Sequence, residues 1–391
     1  MSEVNADFVK FVFFQTIKKA LKKDCAESLG ECKLTQDDEK ALFSLSKKHD
    51  LAHLVCQGLD EYRYVLSDEG KKAFDNARMM AVVRYEQLHY EYKKITETFE
   101  KNEIPFVPLK GAVLRDYYCE PWYRTSCDID ILVKKSDLQK AVRLLCETNG
   151  YQADKKTSYH DISLYSPSNV HLELHFTILE NQENIDGLLA KVWDYVRLKD
   201  GCAYEYRQTN EFLAFHLLAH ILYHFTGGGC GVRTILDFWI IRNGLEMDER
   251  VFDAMLEQCG IKAFYRSIVE LMNVWFEGTA HTEKTLKLER YVLSGGVYGN
   301  LQNKMKVVGT EVKGKKSYVW QRIFCPYDTI KHRYPILQKH KWLLPVYEVV
   351  RWVETIFHGK AKKLKMEVTS MDSNTDAEKE EFKKFLAEIG L

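Results

Sequence analysis

The sequence predicts an α+β fold, a small mixed β-sheet core flanked by N-terminal helices and a C-terminal helical bundle. Three observations predict it. Apolar residues recur at helical spacing through residues 1–98, the pattern changes to short apolar and alternating runs through 99–205, and the helical period returns through 206–290. The remaining segment, 291–391, reads as mainly helical, rich in lysine and arginine over 304–365 and acidic at its end. A chain of 391 residues with 46% apolar and 29% charged residues has the length and composition of a multi-domain globular protein.

The first element is "FVKFVFFQTIKKALKKD", too short and too charged to span a bilayer, which reads as an amphipathic helix. "LTQDDEKALFSLSKKHDLAHLVCQGL" opens on Thr35 and Asp38, a capping-box spacing ahead of apolar residues on a helical face. "IPFVPLKG" is a short apolar run ended by glycine, "AVLRDYY" is helical, and "DIDILV" is a strand. "SDLQKAVRLLCETNG" is a helix capped by Ser136 and stopped by Gly150, and "VHLELHF" alternates strictly. "EFLAFHLLAHILYHF" is a helix that breaks at Gly227, Gly228 and Gly229 before "VRTILDFWIIRN" resumes. The polar run "TSMDSNTDAEKE" reads as a flexible joint before a final helix.

Composition narrows the partners. Lysine plus arginine equals aspartate plus glutamate, 56 each, so no global field draws the chain to nucleic acid or membrane. Ten cysteines without a C-x-x-C pair, and no secretory layout at the start, lead us to expect free thiols in a reducing cytoplasm.

The chemistry concentrates in "RTSCDIDILV". Side chains alternate along a strand, so Asp128 and Asp130 share one face while Ile129 and Ile131 enter the core on the other. In "HLELHF" His171, Glu173 and His175 likewise share a face, and Glu173 completes a three-carboxylate cluster if the two strands are neighbours. Hard oxygen ligands of this kind suit Mg2+ or Mn2+ rather than zinc, with substrate phosphates completing the coordination. The competing reading is a solvated strand end.

The segment before the aspartates favours a phosphate ligand. Lys110-Gly111 joins an apolar strand to a helix, where a glycine lets backbone amides approach a phosphate and the lysine adds charge. Arg124, four residues before Asp128, is a second phosphate candidate because a guanidinium binds such oxygens bidentately. Arg233 reads either as a phosphate contact or as an ion-pair partner of Asp237, one helical turn on. His216, His220 and His224 fall on one helical face; no glutamate of an H-E-x-x-H zinc site accompanies them, so packing or contact with nucleotide or acceptor is expected. His175, two residues after Glu173, faces the acids and could orient a carboxylate, as could His220 and His224 from further away. Tyr117, Tyr118, Trp122 and Tyr123 read as core or as a base-stacking platform. "KGKKSYVWQRIF" and "KHRYPILQKHKW" interleave cations with aromatics, as solvated helix faces, nucleic-acid surfaces and amphipathic lids or membrane-proximal surfaces do.

The runs "LKGAVLRDYY", "PWYRTSCDIDILV" and "VHLELHF" resemble the uncharacterised bacterial nucleotidyltransferase family within the DNA polymerase β superfamily. The resemblance is strongest over about residues 100–180. It extends over about 35–275 through "LTQDDEKALFSLSKKHDLAHLV" and the spaced "H-x-x-x-H-F" and "G-x-G-V-R-T-I-L-D" patterns, and weakly to "RYPILQKHKWLLPVYEVVRWV". It implies a polymerase β-like core in which Gly111 matches the phosphate turn, Asp128 and Asp130 the paired metal ligands, and Glu173 the third acid. The turn here is Lys-Gly where better-known members of the superfamily have Gly-Gly or Gly-Ser.

These readings converge on a two-metal transferase that moves NMP from an NTP to an unidentified acceptor, a small molecule or a protein hydroxyl, and releases pyrophosphate. Lys110, Gly111, Arg124 and Arg233 would hold phosphate, and Asp128, Asp130 and Glu173 would hold metal and act in catalysis. Two alternatives stay open: a tRNA- or other nucleic-acid-modifying or toxin-like transferase, and a catalytically silent nucleotide-binding interaction module.

Overall fold

A computed structural model describes residues 5–21, 27, 29, 33–158, 160–180, 182–297, 299–311, 318–320, 323–325, 327, 330, 334, 336–357, 366–367, 369–370 and 376–391. The chain runs through helices α1 (Ala6–Ala20), α2 (Gln36–Lys48), α3 (Ala52–Glu61) and the long α4 (Asp68–Lys101). It then forms β1 (Phe106–Pro108), α5 (Gly111–Leu114), β2 (Asp128–Val133), α6 (Leu138–Asn149), β3 (Gln152–Thr157), β4 (Asp161–Tyr165) and β5 (His171–His175). Next come α7 (Glu183–Leu189), β6 (Val196–Leu198) and β7 (Tyr206–Gln208). The helices that follow are α8 (Asn210–Thr226), α9 (Val232–Gly244), α10 (Glu249–Gln258), α11 (Lys262–Met272), α12 (Glu283–Gly295) and α13 (Leu301–Glu311). Further helices span Leu344–Phe357 and Asp376–Glu388.

Five strands form one mixed sheet in the order β1-β2-β5-β4-β3. Its centre is the parallel pair β2 and β5, whose register sets Asp128 against His171, Asp130 against Glu173 and Leu132 against His175. β1 lies antiparallel on β2, and β4 antiparallel on β5. Ile129, Ile131 and Val133, with Leu172 and Leu174, pack on one face against Leu88, Ile95 and Phe99 of α4 and Ala141 and Leu145 of α6. The other face carries Leu132 into a larger core shared with α1, α3, α8 and α9. The parallel register therefore decides which polar side chains meet, because both strands must bury Ile or Leu on the same side.

Local rules account for several boundaries. Thr35 and Asp38 form the expected capping box. Gly150 ends α6 in the left-handed conformation, as expected, but Ser136 does not cap it: Asp137 is the cap residue, without a side-chain bond to the helix, and Ser136 Oγ turns to the Asp137 carboxylate at 3.3 Å. "AVLRDYY" supplies only the short α5 and a 3-10 turn at Arg115–Tyr117. α1 is buried on more than one side rather than half exposed: Phe14 stacks on Trp275 at 4.9 Å and Lys10 reaches the buried Glu289 at 2.7 Å. At the break after α8, Gly228 has φ +126 and a Cβ there would sit 2.8 Å from the Asn300 carbonyl oxygen, so glycine is required on both counts. All four cations of "KGKKSYVWQRIF", and the centre of the polar run before the last helix, lie outside the described residues. Among the described residues no helix is long and apolar enough to cross a membrane.

Candidate active site

β1 delivers the chain to the site. The Leu109 N–H donates to the Asp130 carbonyl at 3.0 Å, extending the ladder to the edge of the sheet, and Lys110 then turns sharply with φ +41 and ψ −117. A lysine in this region stores backbone strain of about 1–3 kcal/mol. The turn's positive φ thus falls on Lys110 and not on Gly111. Gly111 is small for a different reason: a Cβ would lie 3.0 Å from both Cβ and Oγ of Ser126.

Beneath this turn lies a residue whose position the sequence did not signal. Arg115 donates from Nε to the Gly111 carbonyl at 2.8 Å and from Nη2 to Ser126 Oγ at 3.3 Å, with its guanidinium over the Tyr85 ring. It is buried and forms no ion pair among the described residues. Burial, with Arg124 nearby, pulls its guanidinium below the ordinary value. Ser126 Oγ donates onward to the Asp128 carbonyl at 3.0 Å, so Arg115 ties the Lys110-Gly111 turn to the start of β2.

On β2 and β5 the acids converge. Ligand atoms of Asp130, Glu173 and His175 lie within 4.8 Å of one another, as do those of Asp128, His171 and Glu173. His175 Nε2 lies 2.9 Å from Asp130 Oδ1 and 3.4 Å from Glu173 Oε2, and Lys110 Nζ is 3.5 Å from Asp130 Oδ1. Burial pushes the Asp128 carboxyl up, helped by the charges of Asp130 and Glu173, to about 6. Burial acts the same way on Asp130, but Lys110 and the His175 hydrogen bond outweigh it and hold Asp130 below the usual carboxylate range. Burial opposes charge on His175, yet its bonds to Asp130 and Glu173 raise it to about 8. Asp130 is compensated and Asp128 is not, so the cluster retains unbalanced negative charge. Two aspartates, a glutamate and the enclosed His171 Nε2, which has no hydrogen-bond partner among the described residues, form a donor set that fits a divalent cation.

The opposite wall is helical. A cavity of about 290 Å³ separates the sheet edge from His216, His220, Tyr223 and His224 of α8 and Arg233, Thr234 and Asp237 of α9. His220 Nδ1 lies 2.8 Å from Glu180 Oε1, and His220 Nε2 lies 3.0 Å from His224 Nε2. The Glu180 carboxylate makes Nδ1 of His220 the donor, so His224 must donate between the two Nε2 atoms. Gln208 bonds His216 Nδ1. Burial lowers all three imidazoles, His216 and His224 to about 3 and His220 well below its ordinary value.

Both arginines expected at the phosphates line this cavity and are already paired. Arg124 Nε donates to both Asp237 oxygens, at 2.7 and 2.8 Å, and Tyr118 Oη donates to the same carboxylate at 2.7 Å. Arg233 pairs with Asp50. The expected Arg233–Asp237 pair is therefore replaced by two others, because Arg124 enters from the turn before β2 and meets the buried Asp237 first. The stacking platform also gives way to packing: Tyr118 and Tyr123 are buried, Trp122 stands edge-on to Tyr123 at 4.5 Å, and neither these nor Tyr117 lines the cavity. The aromatic that does is Tyr223, one residue before His224.

Glu180, Arg115, Ser126, Tyr223 and Asp50 were missed. Tyr223 alone had a local signal, its place between two histidines on one helix. Glu180 follows β5 in an irregular segment where no spacing rule applies.

Residues 35–277 match the model of a protein family described as an uncharacterised nucleotidyltransferase. No curated protein matches the chain.

Proposed function

The chain belongs to this nucleotidyltransferase family, and from that premise we propose that it transfers NMP from an NTP to the hydroxyl of a small molecule or protein and releases pyrophosphate. The observation that carries the reading is the parallel register of β2 and β5, which sets Asp130 against Glu173 beside Asp128, with Lys110 Nζ 3.5 Å from Asp130 on the same wall of the cavity.

Asp128, Asp130 and Glu173 would hold Mg2+ or Mn2+, and His175 would keep Asp130 oriented through its 2.9 Å bond. Such ions supply charge neutralisation for phosphate oxygens and for the leaving pyrophosphate. Lys110 and the Gly111 turn face the triphosphate, with Arg115 adding positive charge from below. Arg124 and Arg233 contribute to the field of the cavity while remaining tied to Asp237 and Asp50. Glu173, its side chain 26% exposed beside Asp130, would serve either as a ligand of that ion or as the base that takes the acceptor's hydroxyl proton as the acceptor oxygen attacks the α-phosphorus and the bond to pyrophosphate breaks.

The test incubates the protein and its Asp130→Ala variant with Mg2+, each NTP and a cell extract, followed by mass spectrometry for whatever gains a nucleotide. Labelling of one acceptor class by the wild type alone supports the reading. Equal labelling by the variant, or nucleotide binding without pyrophosphate release, overturns it in favour of a silent binding module. Label in RNA would move the acceptor to nucleic acid.

A further inference from the structure

A carboxylate only accepts, and on the helix wall that fixes the direction of a chain of hydrogen bonds. Glu180 Oε1 takes the Nδ1 proton of His220 at 2.8 Å, which leaves His220 Nε2 with a lone pair. His224 Nε2 lies 3.0 Å away and must supply the proton of that second bond. A neutral imidazole has a single N–H, so His224 Nδ1 is left as an acceptor. It has no hydrogen-bond partner among the described residues, yet it is not enclosed as His171 Nε2 is, and His224 lines the cavity. Burial disfavours a second proton on either ring, so the direction of the chain persists at ordinary pH. The His224 ring is fixed from two sides, by its bond to His220 and by Tyr223, which stands edge-on at 5.3 Å.

Position narrows what this atom can meet. The charges of Lys110 and Asp130 act on His220, and that of Lys110 on His224, which puts the chain at the phosphate end of a cavity of about 290 Å³. A phosphate or carbonyl oxygen would set a second lone pair against Nδ1 and be repelled. The donors that lie beside the α-phosphorus of an NTP are its sugar hydroxyls and the hydroxyl that attacks it, with the base one step further away.

We propose that His224 Nδ1 binds a substrate hydroxyl as a fixed acceptor, its direction set by Glu180 through His220. The inference rests on the nucleotidyl-transfer reading and adds to it a residue that separates a hydroxylated substrate from one lacking the group. His224 orients that hydroxyl and takes no proton from it.

Calorimetry with Mg2+ tests it, comparing each NTP with its 2′-deoxy and 3′-deoxy counterparts. His224→Phe, which keeps a ring and removes the acceptor, should lose about tenfold in affinity for the NTP and nothing for the counterpart that lacks the bonded hydroxyl. His224→Asn carries a carbonyl oxygen close to the place of Nδ1 and should restore most of that loss. Glu180→Gln, whose amide can offer His220 either a carbonyl or an N–H, should fall between. This pattern assigns the contact to the sugar. If every affinity is unchanged, pyrophosphate release is measured against dilution of a cell extract that supplies the acceptor. A half-saturating extract concentration about tenfold higher in His224→Phe, restored in His224→Asn, then assigns the contact to the attacking hydroxyl. Equal losses for NTP and deoxy forms would mark a structural residue and overturn the proposal, as would a loss confined to one base or no change in either measurement. A wild type that binds NTPs without releasing pyrophosphate overturns the transfer reading while the sugar comparison still decides this one; a wild type that binds none overturns both.

Discussion

The two walls of the cavity are buried alike and resolve that burial in opposite ways. On the sheet wall, Asp130, Lys110 and His175 share charge and Asp128 is left with an excess, its carboxyl raised to about 6. On the helix wall, burial disfavours the protonated form of His216, His220 and His224; His224 and His220 form a hydrogen-bonded chain ending on Glu180, and His216 bonds Gln208 instead. The difference lies in what each side chain can do. A carboxylate beside another carboxylate gains by admitting a cation, whereas an imidazole can give up its charge for little free energy near neutral pH. On the proposed reading the sheet wall would take metal and phosphate, and the neutral imidazoles of the helix wall would shape the pocket beside them.

The largest expected effect breaks the sheet wall. Asp130→Ala should lower nucleotide transfer about 10³-fold or more, measured as pyrophosphate release by the folded variant; EDTA should do the same to the wild type, and Mg2+ or Mn2+ should restore it. Next, Arg124→Ala should destabilise the fold by about 3 kcal/mol in denaturant titration, because it leaves Asp237 buried and unpaired, while Arg124→Ala/Asp237→Leu should recover part of that loss. The helix wall should respond to acid. The folded His216 resists protonation down to about 3 while the unfolded chain takes up the proton near 6.5, so the unfolded state binds more protons between these values. The stability from this group is complete above pH about 6.5 and falls as pH drops toward 3, by about 2 kcal/mol at pH 5, and His216→Gln should flatten that slope in unfolding curves. The smallest effect sharpens the contrast: Ser126→Ala should cost about 1 kcal/mol of stability and loosen the Lys110-Gly111 turn, seen as weaker binding of Mg2+ and inorganic tripolyphosphate by calorimetry.

Much of the sheet wall was legible in advance. Strand periodicity alone places Asp128 with Asp130 and His171 with Glu173 and His175, and the capping box at Thr35 follows from spacing. The Arg233–Asp237 pair was read from helical spacing, and that reading failed because spacing places residues on a face without saying what meets the face. Arg124 is 113 positions away from Asp237, a separation at which no local pattern operates. Gly111 was expected to let backbone amides approach a phosphate; its lack of a side chain also leaves room for Ser126, a contact across the turn that only packing reveals.

Sequence by itself determined the α+β class, the strand that carries D-x-D, the alternating strand that carries Glu173, and the helix that carries the histidines, because each follows from periodicities of two or 3.6 set by backbone geometry. Tertiary structure alone decided that β2 and β5 are parallel neighbours, that Arg124 and Arg233 are held by Asp237 and Asp50, that Arg115 underlies the Lys110-Gly111 turn, and that Glu180 anchors His220. The physical reason is the same in each case. A buried charge takes whichever partner the fold brings within hydrogen-bond reach, and that choice is made through space, where sequence separation carries no information.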